Sequence, residues 1–223
     1  MSKRVLITGA SKGIGLALSQ VFLDNDYQVI GTSRSGKVEQ INHPNFQALE
    51  LDLSSFDSIE KAIEILVEEQ EFDILINNAG VGSDLNKLVP DKNSFKQTFD
   101  VNVTGTVFFT ESVLERLNPD AKIINISSHM GSIQSCNSYD SVAYRMSKNA
   151  LNMYSKILSN RLKGKYSVAS IHPGWVKTNI TDGNANNAKL LPIESAHKIF
   201  DFIMSYYETG IFWNIDTQSI NKW

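Results

Sequence analysis

The sequence predicts a doubly wound α/β fold, one parallel sheet of about seven strands with helices on both faces. Three observations carry that prediction. Short runs rich in Val and Ile alternate along the chain with longer segments of helical period. The runs lack a clean apolar–polar alternation, as expected of parallel strands covered on both faces. The first run also leads directly into a glycine-rich turn and a helix, "TGASKGIG" from Thr8 to Gly15.

Taken in order, the strands are "RVLIT" (4–8), "YQVIGTS" (27–33), "FQALEL" (46–51), "FDILIN" (72–77), "AKIINIS" (121–127), "YSVASIH" (166–172) and "GIFW" (210–213). The helical segments between them are "GIGLALSQVFLDN" (13–25), "SIEKAIEILVEEQ" (58–70), a long stretch over 91–117, another over 142–163, and "IESAHKIFDFIMSYY" (193–207). This βαβ rhythm is that of a parallel sheet. The clearest loops are "NHPN" (42–45) and "DGNANN" (182–187). No linker, repeat or low-complexity tract interrupts the pattern, so residues 1–223 are expected to form a single domain.

Composition narrows the function classes. The chain is 42% hydrophobic and 20% charged, which is ordinary for a globular protein. A formal net charge of −3 argues against nucleic acid or an anionic membrane as the main partner. The single cysteine, Cys136, excludes an internal disulfide and fits a reducing compartment. The opening "MSKRVLITGA" lacks the apolar core of a signal peptide, and no apolar run approaches the length of a membrane span. A soluble, cytoplasmic protein is expected.

The glycine turn suits a dinucleotide. Gly9 permits a sharp turn, Gly13 lets a pyrophosphate approach the backbone, and Gly15 lets the helix pack close to the sheet. Ser11, Lys12 and Ile14 fill the rest of the cradle, whose helix N-terminus offers unpaired N–H groups to phosphate. Tight strand-to-helix turns also use glycine for structure alone, but here the motif stands between a strand and a helix, as it must. The second strand ends at Ser33 and Arg34, with no carboxylate until Glu39. An acid there would bond a ribose 2′-hydroxyl, whereas Arg34, with Lys12, can bind a 2′-phosphate. NADP(H) is therefore expected over NAD(H), although exposed cations are common on any surface.

Further motifs follow at the ends of successive elements: "NNAG" (77–80), "DVNVTGT" (100–106), "NISS" (125–128), "YRMSK" (144–148) and "HPGWVKT" (172–178). With TGxxxGxG they give the chain a resemblance, over nearly its whole length, to the short-chain dehydrogenase/reductase family. The combination "SSHMGSI…YRMSKNALN…HPGWVKT" is most similar to its C-factor-like and sniffer-like carbonyl reductase branch. The resemblance implies a single-domain Rossmann fold, an NADP(H)-dependent reductase of small aldehydes or ketones, and no metal. It also leaves open a nucleotide-binding redox sensor or signalling protein of the C-factor type with little turnover.

The chemistry accounts for the residue types. Reducing a carbonyl needs a hydride on carbon and a proton on oxygen. Tyr144 and Lys148 are four residues apart on one helix face. A tyrosine can supply the proton, and a nearby lysine cation would lower its pKa from the usual value near 10. The resemblance implies that Lys148 also bonds the nicotinamide ribose, that Ser128 bonds the substrate oxygen, and that Asn102 holds a water linking Lys148 to solvent. It assigns Asp52 and Leu53 to the adenine, Asn78, Ala79 and Gly80 to the adenosine ribose, and Pro173, Gly174, Val176 and Thr178 to the nicotinamide end.

Structural alternatives stand beside these roles. Asn78 and Gly80 stabilise a sheet edge in one reading, Asn102 satisfies backbone near a kink in another, and Asp52 caps the following turn in a third. Strand alternation sends Ser127 and Ser128 to opposite faces, and the family pattern selects the second. Ser132 and Ser135 lie beyond the strand end. Tyr139 reads as a pocket or packing aromatic, His172 as structural, and Cys136 as a thiol with no activating histidine. Trp175 and Met130 are pocket walls or core. Ser128 and Tyr144 are 16 residues apart, more than the family usually has, which marks Gly131–Asp140 as a distinctive pocket wall. The short segment from Thr178 to Pro192 implies an open or small pocket, disfavouring steroids and long carrier-bound ketones. A homo-oligomer formed through the two long helices is expected, with a dimer favoured over a tetramer.

Overall fold

A computed structural model describes residues 2–69, 71–180 and 182–223, and the side chain of residue 182 is not among the described groups. The strands are β1 (Arg4–Ile7), β2 (Gln28–Ser33), β3 (Phe46–Glu50), β4 (Phe72–Asn77), β5 (Leu117–Ile126), β6 (Ser167–His172), β7 (Ile211–Asn214) and β8 (Ser219–Ile220). The helices are α1 (Gly13–Asp24), α2 (Phe56–Val67), α3 (Lys92–Phe99), α4 (Thr106–Val113), α5 (Val142–Arg161), α6 (Asp182–Asn187) and α7 (Pro192–Met204). The strands form one sheet in the order β3-β2-β1-β4-β5-β6-β7-β8.

Successive strand residues feed opposite faces. Val5 and Ile7 of β1 join Leu18 and Phe22 of α1 and Ile199 and Ile203 of α7 in one apolar layer. Leu6 faces the other way, into a layer with Leu66 of α2, Phe109 and Val113 of α4 and Leu158 of α5. Burial on both faces is why the strands read as continuous apolar runs. The order reverses between β1 and β4, and the crevice beyond their carboxyl ends is where doubly wound folds bind ligands.

Four features differ from expectation. The seven parallel strands are joined by an eighth, β8, which pairs antiparallel with β7 and is too short to leave a pattern. The stretch 91–117 is not one helix. A π turn over Asp100–Gly105 separates α3 from α4, and a 3-10 turn over Leu114–Arg116 leads into β5. That strand begins at Leu117, four residues early, with an irregularity in its pairing to β4 between Phe72 and Ile74. Finally, the expected loop 182–187 is helix α6. The expected end of the second helical segment, Gln70, and Thr181, in the short segment from Thr178 to Pro192, lie outside the described residues.

Candidate active site

The glycine turn joins β1 to α1 with both Gly9 (φ +72) and Gly13 (φ +58) in the left-handed region. Gly15 packs so tightly against the carbonyl of Gly9 and the amide of Asn78 that no Cβ would fit. At Gly13 a Cβ would stand 3.3 Å from Thr178 Cγ2, so the loop after β6 reaches across to this turn. Lys12 is the exposed N-cap of α1 and makes no capping bond with its side chain. Ser11 and Ile14 are half-buried beside it. These glycines and the uncapped helix start fit a dinucleotide phosphate, which binds to backbone N–H groups.

Several residues assigned to the cofactor also hold the site together. Asn78 donates through Nδ2 to the carbonyls of Thr8 (2.9 Å) and Gly9 (3.1 Å), while its own N–H and that of Ala79 donate to Thr8 Oγ1. The Ser33 hydroxyl is engaged in its own turn, donating to the Lys37 carbonyl and accepting from the Lys37 N–H. Asp52 accepts from the Ser54 hydroxyl (2.7 Å) and N–H (2.9 Å). These bonds, the Ser54 hydroxyl's above all and with a smaller contribution from exposed Arg34, hold its carboxyl below the usual range. Asp52 thus caps the turn ahead of α2, and Ser55 caps the helix itself. Leu53 is buried, with its carbonyl against Gly105 where no Cβ could stand.

At the far end of the crevice, Pro173 accepts from the Ser195 hydroxyl at 2.8 Å. Gly174 (φ +79) is pressed against the Asp216 carboxylate. Buried Val176 makes a bridge with Leu190.

The four residues singled out for chemistry come from three elements. Tyr144 and Lys148 lie in the first two turns of α5, and both are buried, at 8% and 4% exposure. Ser128 follows β5 and accepts from the Met130 N–H at 3.1 Å, and its hydroxyl is near enough to the Tyr144 phenol to exert a lowering influence on its pKa. Lys148 Nζ donates to the Ile126 carbonyl at 2.8 Å and lies 5.8 Å from the centre of the Tyr144 ring. Asn102 sits in the π turn. Its carboxamide accepts from the Val81 N–H, donates to the Val81 carbonyl, both at 2.8 Å, and donates to Ser147 Oγ at 3.1 Å. Gly80 stands between these groups: a Cβ there would lie 3.3 Å from Asn102 Oδ1 and 3.4 Å from Lys148 Nζ.

Electrostatics departs from the simplest expectation. Burial pushes the Tyr144 phenol up to about 12, against a lowering contribution from the Ser128 hydroxyl. Burial also brings Lys148 down to about 8. Desolvation of both groups therefore outweighs the tyrosinate-favouring influence expected of the lysine.

Other candidates fall away from this cluster. The Ser127 hydroxyl turns to the Lys148 carbonyl (3.4 Å), opposite in sense to Ser128. Ser132 and Ser135 bond one another. Tyr139 is 84% exposed, which corrects its reading as a packing aromatic, and Trp175 and Cys136 are exposed as well. His172 is lowered to about 4, first by burial and then by His129, so it is neutral at physiological pH.

Sequence reasoning missed three contributors. Asp84 accepts hydrogen bonds from the N–H groups of Ala143 and Tyr144. Asn125 and Ser155 link Asn77 to Ser170 through a buried ladder that fixes α5 on the sheet. The first was a lone acid near "NNAG", Asn125 opens the quoted "NISS" without being assigned a role, and Ser155 gave no signal beyond its place on α5.

Comparison with known proteins decides the family. The family model described as short chain dehydrogenase matches residues 3–189. The chain belongs to the short chain dehydrogenase family. As such it is an oxidoreductase acting on small-molecule substrates. It is 32% identical over 187 residues to the 3-oxoacyl-(acyl-carrier-protein) reductase of Buchnera aphidicola subsp. Schizaphis graminum, covering 80% of this chain and 75% of that one. Among solved structures it is similar to the carbonyl reductase Sniffer of D. melanogaster, with TM-score 0.87, 30% identity and full coverage of both chains. It is also similar to an NADPH-bound carbonyl reductase from chicken fatty liver, with TM-score 0.90, 27% identity, and coverage of 100% of this chain and 94% of that one. Among the described residues, no helix is long and apolar enough to cross a membrane.

Proposed function

We propose that the protein is an NADPH-dependent carbonyl reductase of small aldehydes and ketones. The observation that carries this reading is the buried convergence of Ser128, Tyr144 and Lys148 beside Gly80, at the mouth of a glycine turn that suits dinucleotide phosphates. Bound reduced nicotinamide would supply the hydride. Gly9, Gly13 and Gly15 would hold the pyrophosphate with Ser11 and Ile14. Lys12 and Arg34 would meet a 2′-phosphate, and Asp52 and Leu53 would flank the adenine. Ala79 and Gly80 would line a ribose, and Pro173, Gly174, Val176 and Thr178 would face the nicotinamide end.

The chain's own residues do the rest. Ser128 donates a hydrogen bond to the substrate oxygen and steadies the charge that grows there. Tyr144, kept protonated by burial, gives its phenolic proton to that oxygen. Lys148, with a pKa of about 8, is mostly cationic at neutral pH and stabilises the tyrosinate left behind. Asn102 fixes Val81 and so the wall beside Lys148, and the π turn is what aims it inward.

The carbonyl reductase neighbours and the short segment from Thr178 to Pro192 favour small substrates over carrier-bound ones, although a carrier-bound ketone is what the Buchnera relative's name specifies. Exposed Met146, Met153 and Ile157 of α5, together with exposed Phe108 of α4, favour a homodimer through the two long helical segments. The test is a panel of aldehydes and ketones assayed with NADPH and with NADH. Turnover of a small carbonyl with NADPH preferred supports the reading, and no turnover of any member contradicts it.

A further inference from the structure

We propose that Asp84 is a positioning residue for the proton donor: its buried carboxylate, supplied by the loop after β4, sets where Tyr144 stands. The inference rests on the reading of Tyr144 as proton donor given above.

Ala143 and Tyr144 are the second and third residues of α5, so their N–H groups have no acceptor within the helix. The residue before such a helix normally supplies one from its own side chain. Ser141 is of the favoured type for that position, yet its backbone is left-handed (φ 56) and its side chain makes no capping bond. Its hydroxyl instead accepts from the Asn86 N–H at 3.0 Å, and its own N–H donates to the Lys87 carbonyl at 2.9 Å. Asp84 fills the place that Ser141 leaves. One carboxylate oxygen accepts from the Ala143 N–H at 2.6 Å, and the other from the Tyr144 N–H at 3.0 Å. The residue is 0% exposed. Charge-assisted bonds of this kind, at the positive end of a 20-residue helix, are among the stronger ones a fold makes.

The origin of this cap is what ties it to catalysis. Asp84 closes a five-residue segment, Gly80 to Asp84, that meets three of the four residues of the cluster. Gly80 lies against Asn102 and Lys148, Val81 exchanges two hydrogen bonds with Asn102, and Asp84 holds Tyr144. Ala79, just before this segment, and Gly80, its first residue, are those proposed to line the cofactor. Ser141 ties the start of α5 to Asn86 and Lys87 of the same loop, but only Asp84 holds the Tyr144 backbone itself. Held by Asp84, the distance from Tyr144 to the cofactor wall is fixed by one short stretch of chain. Displacements of about 1 Å at a reacting centre cost about a hundredfold in rate.

The experiment compares wild type, Asp84→Asn and Asp84→Ala in the full chain. It measures kcat and KM on a carbonyl the wild type reduces, NADPH Kd by quenching of protein fluorescence, and thermal unfolding. We expect Asp84→Ala to lower kcat at least about tenfold with NADPH Kd within about threefold of wild type. Asp84→Asn, which keeps one acceptor oxygen, should recover part of that loss. A cap with a structural role alone would lower the melting temperature of both variants and leave kcat per folded molecule unchanged, and that result overturns the inference. Should Asp84→Ala not fold, Asp84→Asn decides: a kcat at wild-type level overturns the proposal, and a loss of about threefold or more supports it. An active wild type with unaffected variants thus defeats this inference alone, whereas a wild type inactive on every carbonyl defeats the proposed function and this inference with it.

Discussion

Lys148 donates to the carbonyl of Ile126 at 2.8 Å, which ties the helix carrying Tyr144 to the strand that ends just before Ser128. The bond anchors a buried cation whose pKa is reduced by burial from 10.5 to about 8. A folded-state value below the unfolded one means that the fold favours neutral lysine. The cost of keeping the cation buried is therefore full below about pH 8 and fades as pH rises toward 10.5.

Replacing that lysine should accordingly stabilise the protein while disabling it. Lys148→Met is expected to gain about 1–3 kcal/mol at pH 7, the relief of desolvation less the lost hydrogen bond. Denaturant unfolding from pH 7 to 10.5 should show the advantage shrinking with pH, and carbonyl reduction should fall at least about a hundredfold. An advantage that does not change across this range would contradict the burial argument.

Gly80 stands where Asn102 and Lys148 come together. In Gly80→Ala the new methyl would stand 3.3 Å from Asn102 Oδ1 and 3.4 Å from Lys148 Nζ, tighter than ordinary contact. The backbone there is not left-handed, so the substitution acts through contact alone. Steady-state kinetics should show kcat reduced about tenfold with little loss of thermal stability. Full activity would mean that Lys148 has room to move.

Cofactor choice is expected to hinge on Arg34, the exposed residue after β2. Arg34→Asp should repel a 2′-phosphate and bond a 2′-hydroxyl, lowering the NADPH/NADH ratio of kcat/KM at least about tenfold. An unchanged ratio would remove Arg34 from the cofactor site.

The loop before Tyr144 is held from two sides. Asn149 donates to the Gly131 carbonyl at 3.0 Å, while the Trp223 carbonyl accepts from the Gln134 N–H (3.1 Å) and the Ser132 hydroxyl (3.2 Å). Ser132→Ala frees one of these ties. On the expectation that this loop walls the substrate pocket, the variant should raise KM for the preferred carbonyl about three- to tenfold and change kcat less. A kcat loss with KM unchanged would place this loop in the chemistry.

The first seven strands and most helices were legible because apolar periodicity reports burial directly, and here both sheet faces are covered. The π turn was not, since 91–117 keeps its helical period. What breaks the helix is tertiary: Gly105 packs against the carbonyl of Leu53. Helix α6 was hidden by a Gly- and Asn-rich sequence of low helix propensity, and β8 by its two-residue length. At the candidate site, motif order singled out Asn102, Ser128, Tyr144 and Lys148, and the structure brings Lys148 beside Tyr144 with Asn102 across Gly80. Spacing could not reveal that Asn78 and Ser33 spend side-chain bonds on the scaffold. Nor could it reveal Asp84, whose partners lie 59 and 60 residues away.

The most direct measurement is the rate of NADPH oxidation by wild type and Tyr144→Phe on the best substrate from a carbonyl panel. The two differ by one buried hydroxyl, on the side chain the proposal makes the proton donor. The variant should keep NADPH affinity and thermal stability near wild type and lose at least about a hundredfold in kcat. A Tyr144→Phe protein that reduces the carbonyl at the wild-type rate would contradict the account.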